Sequence, residues 1–307
     1  MTTTSDMPHP RVGVAAPSDN MLPTQDLLRM AVGLLENHGF TVIEADNILH
    51  EYGRFAGTHE SRAGHFQKMA MSSAFDTLLM ASGGYGALHI LPYLDFSRMN
   101  PHLDWVGYSD STVLLNARVA HTGKGGWHGA MLKQLAKGFE SLDRALVKDI
   151  LAGTSPHKYE AEVLADVKIL NEGQHRGRLI GGNVAAFRSL MGTPHAPQPQ
   201  AGDILFLEEL DDDLCRVDRD LHHLAQNGWF EQLGGLIYGD FSEMHESTSR
   251  PFGFSLYEVF AYHGRNVNGP VVSAFPAGHT GLNLPLPIGK AVTLTAGTDG
   301  TTLSWEN

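Results

Sequence analysis

Short apolar runs alternate with longer segments of helical period along the first half of the chain. RVGVAA (residues 11–16) is apolar almost throughout and closed by Pro17-Ser18, the pattern of a buried parallel strand ending in a loop. Leu27, Leu28, Ala31, Leu34 and Leu35 then recur at helical spacing between Thr24 and His38, and Gly39 stops the helix. FTVIEA (40–45) predicts a second strand, followed by a loop rich in Gly, Arg and His from His50 to His65. DTLLMASGGYG repeats the logic of a strand running into glycines, and a helix begins at Ala87 and runs to Leu94. DWVGYSD is another short strand entering a turn, and STVLLNARVAHTG is an amphipathic helix closed by Gly123. Three strand-to-helix turns in one half of a chain predict a doubly wound parallel α/β sheet, whose ligand crevice lies at the carboxyl ends of its strands.

Past a helix expected from Gly138 to Leu151, the pattern changes at Gly153-Thr-Ser-Pro156. A linker is placed at residues 153–165, dividing an N-terminal domain (1–160) from a C-terminal one (161–307). The second half reads as α+β: YEAEVLADVKIL, a Gly-rich turn RGRLIGGN, the strand DILFLEEL, a helix from Leu214 to Gln226, the strand GGLIYGDF, and strands from Pro270 to Trp305. Neither repeats nor low-complexity tracts are visible.

Composition narrows the partners. A chain of 307 residues is long for one core, and 42% apolar with 18% charged residues is a globular balance. Lys and Arg number 22 against 34 Asp and Glu, and a net charge of −12 repels phosphate backbones and anionic lipid. Nucleic acid and membrane are therefore not expected partners. The single cysteine, Cys215, rules out an internal disulfide, and its neighbours Asp211, Asp212 and Asp213 work against a reactive thiolate. The N-terminus lacks a basic region followed by an apolar one, and no window reaches the apolar length of a membrane span, so a cytoplasmic protein is expected.

Gly107-Tyr108-Ser109-Asp110-Ser111 is G-x-S-x-S, one residue short of the G-x-S-x-G elbow that holds a serine hydroxyl clear of a sharp strand-to-helix turn. Ser109 or Asp110 serves equally well, on spacing alone, as a helix N-cap. A serine hydroxyl needs an adjacent base, and the base needs an acid to orient it. Glu208 and Glu209 end the apolar strand DILFL, and His279 sits in PAGHTG between Gly278 and Gly281. A solvated strand end and an ordinary loop histidine explain these residues as well. Ser82-Gly83-Gly84-Tyr85-Gly86 follows a strand and offers backbone N–H groups to an anion, but fits neither nucleotide-binding glycine pattern. There is no H-E-x-x-H and no compact His/Asp/Glu constellation, and the adjacent His222 and His223 point to different faces of a helix, so no metal site and no cofactor are expected.

Taken together, the chain resembles the LD-carboxypeptidase family, the muramoyltetrapeptide carboxypeptidases of peptidoglycan recycling. The resemblance runs nearly end to end. It rests on AAPS (15–18), RFAGT (54–58), GGYGALHILPYLD (83–95), GYSDST (107–112), GGN (181–183), LMGTP (190–194), ILFLEEL (204–210), VDRDL (217–221) and GHTGLNLPLPIG (278–289). It implies an N-terminal α/β domain similar to class I glutamine amidotransferases and a smaller C-terminal domain of strands and helices. It also implies a triad of Ser109 as nucleophile, Glu208 as acid and His279 as base. The backbone N–H of Asp110 and one from Gly83 or Gly84 are the expected oxyanion donors, and Tyr85 and Asn183 the expected substrate contacts. Two departures stand out: Ser82 where the family usually has arginine, and His128-Gly129-Ala130 where it usually has a proline-ended motif.

The resemblance implies release of terminal D-alanine from a murein tetrapeptide by a homodimer. The related microcin C self-immunity peptidases cleave aminoacyl-adenylate-like amides with the same triad, but carry a longer, aromatic insertion. Here the segment from Gly153 to Arg178 is short, with Tyr159 its one aromatic residue. A catalytically silent muropeptide-binding protein would keep the fold without needing the triad.

Overall fold

A computed structural model of the chain describes residues 9–306. Residues 1–8, part of the stretch read for a leader, lie outside the described residues.

Five strands build the first sheet: β1 (Arg11–Ala15), β2 (Thr41–Glu44), β3 (Thr77–Met80), β4 (Asp104–Val106) and β5 (Gly126–His128). They lie parallel in the order β2-β1-β3-β4-β5. Four helices connect them: α1 (Gln25–Asn37), α2 (His59–Ala70), α3 (Ala87–Ile90) and α4 (Thr112–Thr122). β3 is buried at every position and β1 at all but its first, so both are covered on both faces, as parallel strands in an α/β layer must be. The strand order reverses between β1 and β3, which opens a crevice at their carboxyl ends, where the Pro17–Asn20 and Ser82–Gly86 loops emerge. The strand Leu286–Ile288, from far along the chain, closes the sheet by pairing antiparallel with β5.

The helices α5 (Leu132–Leu135) and α6 (Leu142–Leu151) lead into a second sheet. Its strands are β6 (Lys158–Tyr159), β7 (Lys168–Asn171), β8 (Gly173–Asn183), β9 (Asp203–Leu210), β10 (Leu233–Ser242), β11 (Val271–Ser273), β13 (Ala291–Gly297) and β14 (Gly300–Trp305), with Leu286–Ile288 numbered β12. The order is β6-β14-β13-β8-β9-β10-β11-β7. β8 to β11 run parallel, accompanied by α7 (Val184–Ser189), α8 (Leu214–Gln226) and α9 (Leu256–Gly264), and β9 and β11 are buried along nearly all their length. β13 and β14 form an antiparallel hairpin whose residues alternate buried and half-buried, so one face meets solvent. No helix among the described residues is long and apolar enough to cross a membrane.

Several expectations need correction. The region read as a loop to His65 is helical from His59, capped by Thr58, whose side chain accepts from Ser61 N. Its inward face carries Ala63, Phe66, Met69 and Ala70 but also Arg62, fully buried, and that charge hides the apolar stripe. RGRLIGGN is no turn but most of β8, the longest strand. The helix expected from Gly138 starts at Leu142, after Ser141, and the expected linker contains β6, which pairs with β14. Neither β5, a three-residue strand, nor α9 was foreseen.

The glycines of β8 explain why it does not read as a strand. Gly181 and Gly182 have φ of 117° and 135°, conformations that favour glycine. A Cβ at Gly181 would overlap Phe206 O, and one at Gly182 would stand 2.5 Å from Thr112 Oγ1. This close approach fastens α4 to the second sheet. Asn116 Nδ2 donates to Gly181 O (2.8 Å), Gly181 N to Asn116 Oδ1 (3.1 Å), and Asn183 N to Thr112 Oγ1 (3.1 Å).

Candidate active site

A cavity of about 970 Å³ opens at the carboxyl ends of the first sheet, between it and the second. Ser82 to Tyr85 line it from the loop after β3, Tyr108 to Asp110 from the loop after β4, and Asn183, Glu209 and His279 from the second half.

Ser109 lies where β4 gives way to α4, with φ of 59°, in the left-handed region that non-glycine residues seldom occupy. Holding it there costs on the order of 1–3 kcal/mol, which the surrounding packing must offset. Gly83 allows that packing: a Cβ on it would stand 3.0 Å from Ser109 Cβ. The helix-cap alternative fails on geometry. Tyr108 and Ser111 occupy the N-cap positions, and neither makes a side-chain cap bond. Asp110 turns its buried carboxylate the other way, accepting from Ser18 Oγ (2.6 Å) and Ala87 N (2.8 Å), so it ties the turn to the loop after β1 and to α3. Burial raises its pKa above the usual carboxylate range.

From the second half, Glu208 on β9 is fully buried and accepts at Oε2 from His279 Nδ1 over 2.6 Å. Its Oε1 has no partner among the described residues. Burial pushes Glu208 upward, and the bond from His279 opposes that push without cancelling it. For His279, burial works downward, but the Glu208 hydrogen bond and the charges of Glu208, Glu209 and Asp240 outweigh it, holding the ring above its ordinary 6.5. With Nδ1–H given to Glu208, Nε2 is the nitrogen left with a lone pair. Among the described residues no hydrogen bond joins Ser109 Oγ to His279; the Tyr108 ring, next to Ser109, lies 4.9 Å from the imidazole between centroids.

Both neighbours of His279 are anchored. Thr280 donates through N and Oγ1 to Asp240 Oδ2 (2.7 Å each), and Gly278 N donates to Asn283 Oδ1 (3.1 Å). His128 Nε2 reaches the same Asn283 oxygen at 3.0 Å, and burial lowers His128 to about 3, so it stays neutral and donates. Sequence reasoning missed Asp240 and Asn283 as anchors. Asn283 stood inside GHTGLN, four residues after the histidine, and that adjacency was the available signal.

The remaining expected residues fall as follows. Gly84 has φ of 99°, and a Cβ there would overlap the Asp19 carboxylate, which itself accepts a bidentate pair from Arg54 (2.8 and 2.7 Å) and a bond from Tyr85 N (3.2 Å). Tyr85 is exposed at the cavity rim. Asn183 caps α7 through Oδ1 to Ala186 N (3.1 Å) and donates Nδ2 to Glu209 Oε1 (2.6 Å). Burial pushes Glu209 up to about 7 against three N–H donors that pull it down. Arg62, also missed, holds the crevice loops together, donating to Pro17 O, Gly86 O and Gly57 O. Although the sequence offered no compact His/Asp/Glu constellation, the fold brings Asp218, His222 and His263 together, outside the residues lining this cavity.

Comparison with known proteins identifies the family. Residues 12–129 match the model of the LD-carboxypeptidase N-terminal domain, and residues 176–294 that of the LD-carboxypeptidase C-terminal domain. A Bacillus subtilis protein named "Probable murein peptide carboxypeptidase" is 30% identical over 290 residues, 93% of this chain and 89% of its own. The "Murein tetrapeptide carboxypeptidase" of Pseudomonas aeruginosa is 28% identical over 301 residues, 96% of this chain and 95% of its own. The solved structure of MccF in complex with glutamyl sulfamoyl guanosine shares the fold, with a TM-score of 0.86 at 21% identity over 97% of this chain and 96% of that one. With both halves matched in order and relatives aligned nearly end to end, this chain belongs to the LD-carboxypeptidase family.

Proposed function

We propose that the chain is a serine-type carboxypeptidase that hydrolyses the L,D bond before the terminal D-alanine of murein tetrapeptides. Ser109 is the nucleophile, His279 the base and Glu208 the acid that orients it. One observation carries the reading: the 2.6 Å bond from His279 Nδ1 to a fully buried Glu208, on the wall of the cavity into which the strained turn brings Ser109.

Ser109 Oγ attacks the carbonyl of the L-centre while its proton passes to His279 Nε2. The imidazolium forms beside the Glu208 carboxylate, which stabilises it. The negative oxygen of the tetrahedral intermediate takes hydrogen bonds from the backbone N–H of Asp110 and of Gly83 or Gly84. As the C–N bond breaks, His279 returns the proton to the amine of D-alanine, leaving an acyl-enzyme. Water, deprotonated by the same Nε2, attacks that ester; its collapse frees the tripeptide acid and restores Ser109.

A substrate ending in a free carboxylate needs opposite charge in a protein of net −12; on the cavity wall Arg54 pairs with Asp19 and Arg188 with Asp220, while the Lys133 ammonium pairs with no carboxylate among the described residues. The name of the Pseudomonas aeruginosa relative supports a murein tetrapeptide as substrate. Against cleavage of nucleotide-linked amides stands Tyr159, the one aromatic residue of the 153–178 segment, which is buried and donates its hydroxyl to Pro285 O (2.6 Å) instead of facing a base. We propose further that the enzyme works in the cytoplasm and as a homodimer, which fractionation and sedimentation velocity check.

D-Alanine release should be measured for wild type and Ser109→Ala on tetrapeptides carrying diaminopimelate or lysine at the third position, beside an aminoacyl sulfamoyl nucleoside. Release from a tetrapeptide that Ser109→Ala abolishes is expected. Undiminished release by the variant would sink the nucleophile assignment. Binding without turnover by wild type would favour a silent muropeptide binder, and preference for the nucleoside would favour an immunity-type peptidase.

A further inference from the structure

We propose that Asp218, His222 and His263 form a binding site for a divalent transition-metal ion of the zinc class, tying α8 to α9. Asp218 and His222 stand one turn apart on the same face of α8, and His263, 45 residues from Asp218, comes from α9. His263 Nε2 lies 3.1 Å from Asp218 Oδ1, and His222 Nε2 lies 3.9 Å from that same oxygen. The three ligand atoms are all within 4.8 Å of one another. A tetrahedral ion with bonds of about 2.0–2.1 Å needs its ligand atoms roughly 3.3 Å apart, so the His263–Asp218 edge is near that value and a rotation of His222 toward the pair shortens the other two.

A plain ion pair accounts for less of this arrangement. One proton on His263 Nε2 satisfies the shorter contact but leaves His222 Nε2 near the same oxygen, beyond hydrogen-bond reach. The two imidazoles meet nearly edge to face, with centroids 4.6 Å apart and planes at 79°, so they do not stack. Asp218 pairs with no Lys or Arg among the described residues; the nearby Arg265 lies instead over the Tyr262 ring at 4.0 Å. Exposure grades across the cluster: the His263 side chain is 2% exposed, Asp218 25% and His222 44%, a fixed ligand at the base with entry from solvent above. Two imidazoles and a carboxylate suit zinc and its first-row neighbours, and not magnesium or calcium, which favour all-oxygen shells. Water completes the coordination. α8 follows β9, which carries Glu208, and α9 precedes β11 and the His279 loop, so the ion would brace two helices beside the strands of the acid and base.

The test is titration of chelator-treated full-length protein with Zn²⁺ by calorimetry, for wild type, His222→Ala and Asp218→Asn. The other histidines among the 17 bind weakly in all three proteins alike, so the difference isolates the site. Wild type should bind one ion more than either variant and gain about 5 °C in melting temperature at zinc 100-fold above its Kd, a gain absent from His222→Ala. His222 is half exposed and lines no part of the cavity, so that variant should fold and keep its D-alanine release. Equal stoichiometry and affinity in wild type and variants, no binding by wild type, or a preference for Mg²⁺ or Ca²⁺ would each overturn the proposal.

Discussion

The two halves of the molecule present their chemistry by different physical means. In the first half the backbone carries it: Ser109 is raised from the turn by a left-handed φ, and Gly83 packs against it where a side chain would crowd the Ser109 Cβ. In the second half buried electrostatics do the work. Glu208 is shut away from water with His279 donating to its Oε2, and the ring is held through the anchored residues on either side. In the proposed mechanism the hydroxyl is inert without the base, and the imidazole hydrolyses nothing without the nucleophile, so reactivity would belong to the seam. That seam is the reciprocal bonding of Asn116 with Gly181 and the bond from Asn183 N to Thr112 Oγ1, which lock the helix after Ser109 to the strand beside Glu208.

Substitutions on each side of the seam separate these contributions. Ser109→Ala should lower kcat by a factor on the order of 10⁴ or more, with KM little changed, in a D-alanine release assay. Glu208→Gln keeps the shape of the acid but removes its charge, and turnover should fall by about 10³ while the circular dichroism spectrum is unchanged. Gly182→Ala attacks the seam itself: the new Cβ pushes Thr112 and tilts α4, and an ångström of misplacement at Ser109 should cut kcat by about 10². The smallest effect is on pH. Catalysis needs neutral His279, whose pKa lies above 6.5, so kcat/KM should rise with pH through a midpoint above that value and be lost on the acid side. In Glu208→Gln burial of the ring prevails, and the midpoint of the residual activity should move down.

What the sequence made legible follows burial and periodicity. β1, β3, β9 and β10 were readable because a strand buried on both faces is a continuous apolar run, and α1 and α8 because one face alone is apolar. α2 was lost to the buried Arg62, β8 to glycines that serve contact with α4, and α9 to Tyr257 and Tyr262, which are exposed aromatics breaking the stripe. Ser109 announced itself by local spacing, because an elbow is a local structure. Glu208 and His279 are 71 residues apart, and only the order of family motifs marked them as a pair. Asp240, Asn283 and the Asp218–His263 contact come from separate elements, with nothing local to signal them.

The central claim is that Ser109 and His279 act as one unit assembled from the two halves. Rates of D-alanine release by Ser109→Ala, by His279→Ala and by the double variant test it directly. Members of one catalytic unit are not additive, so all three should fall to the same residual rate. A double variant whose loss is the product of the two single losses, or a Ser109→Ala protein that keeps its turnover, would contradict it.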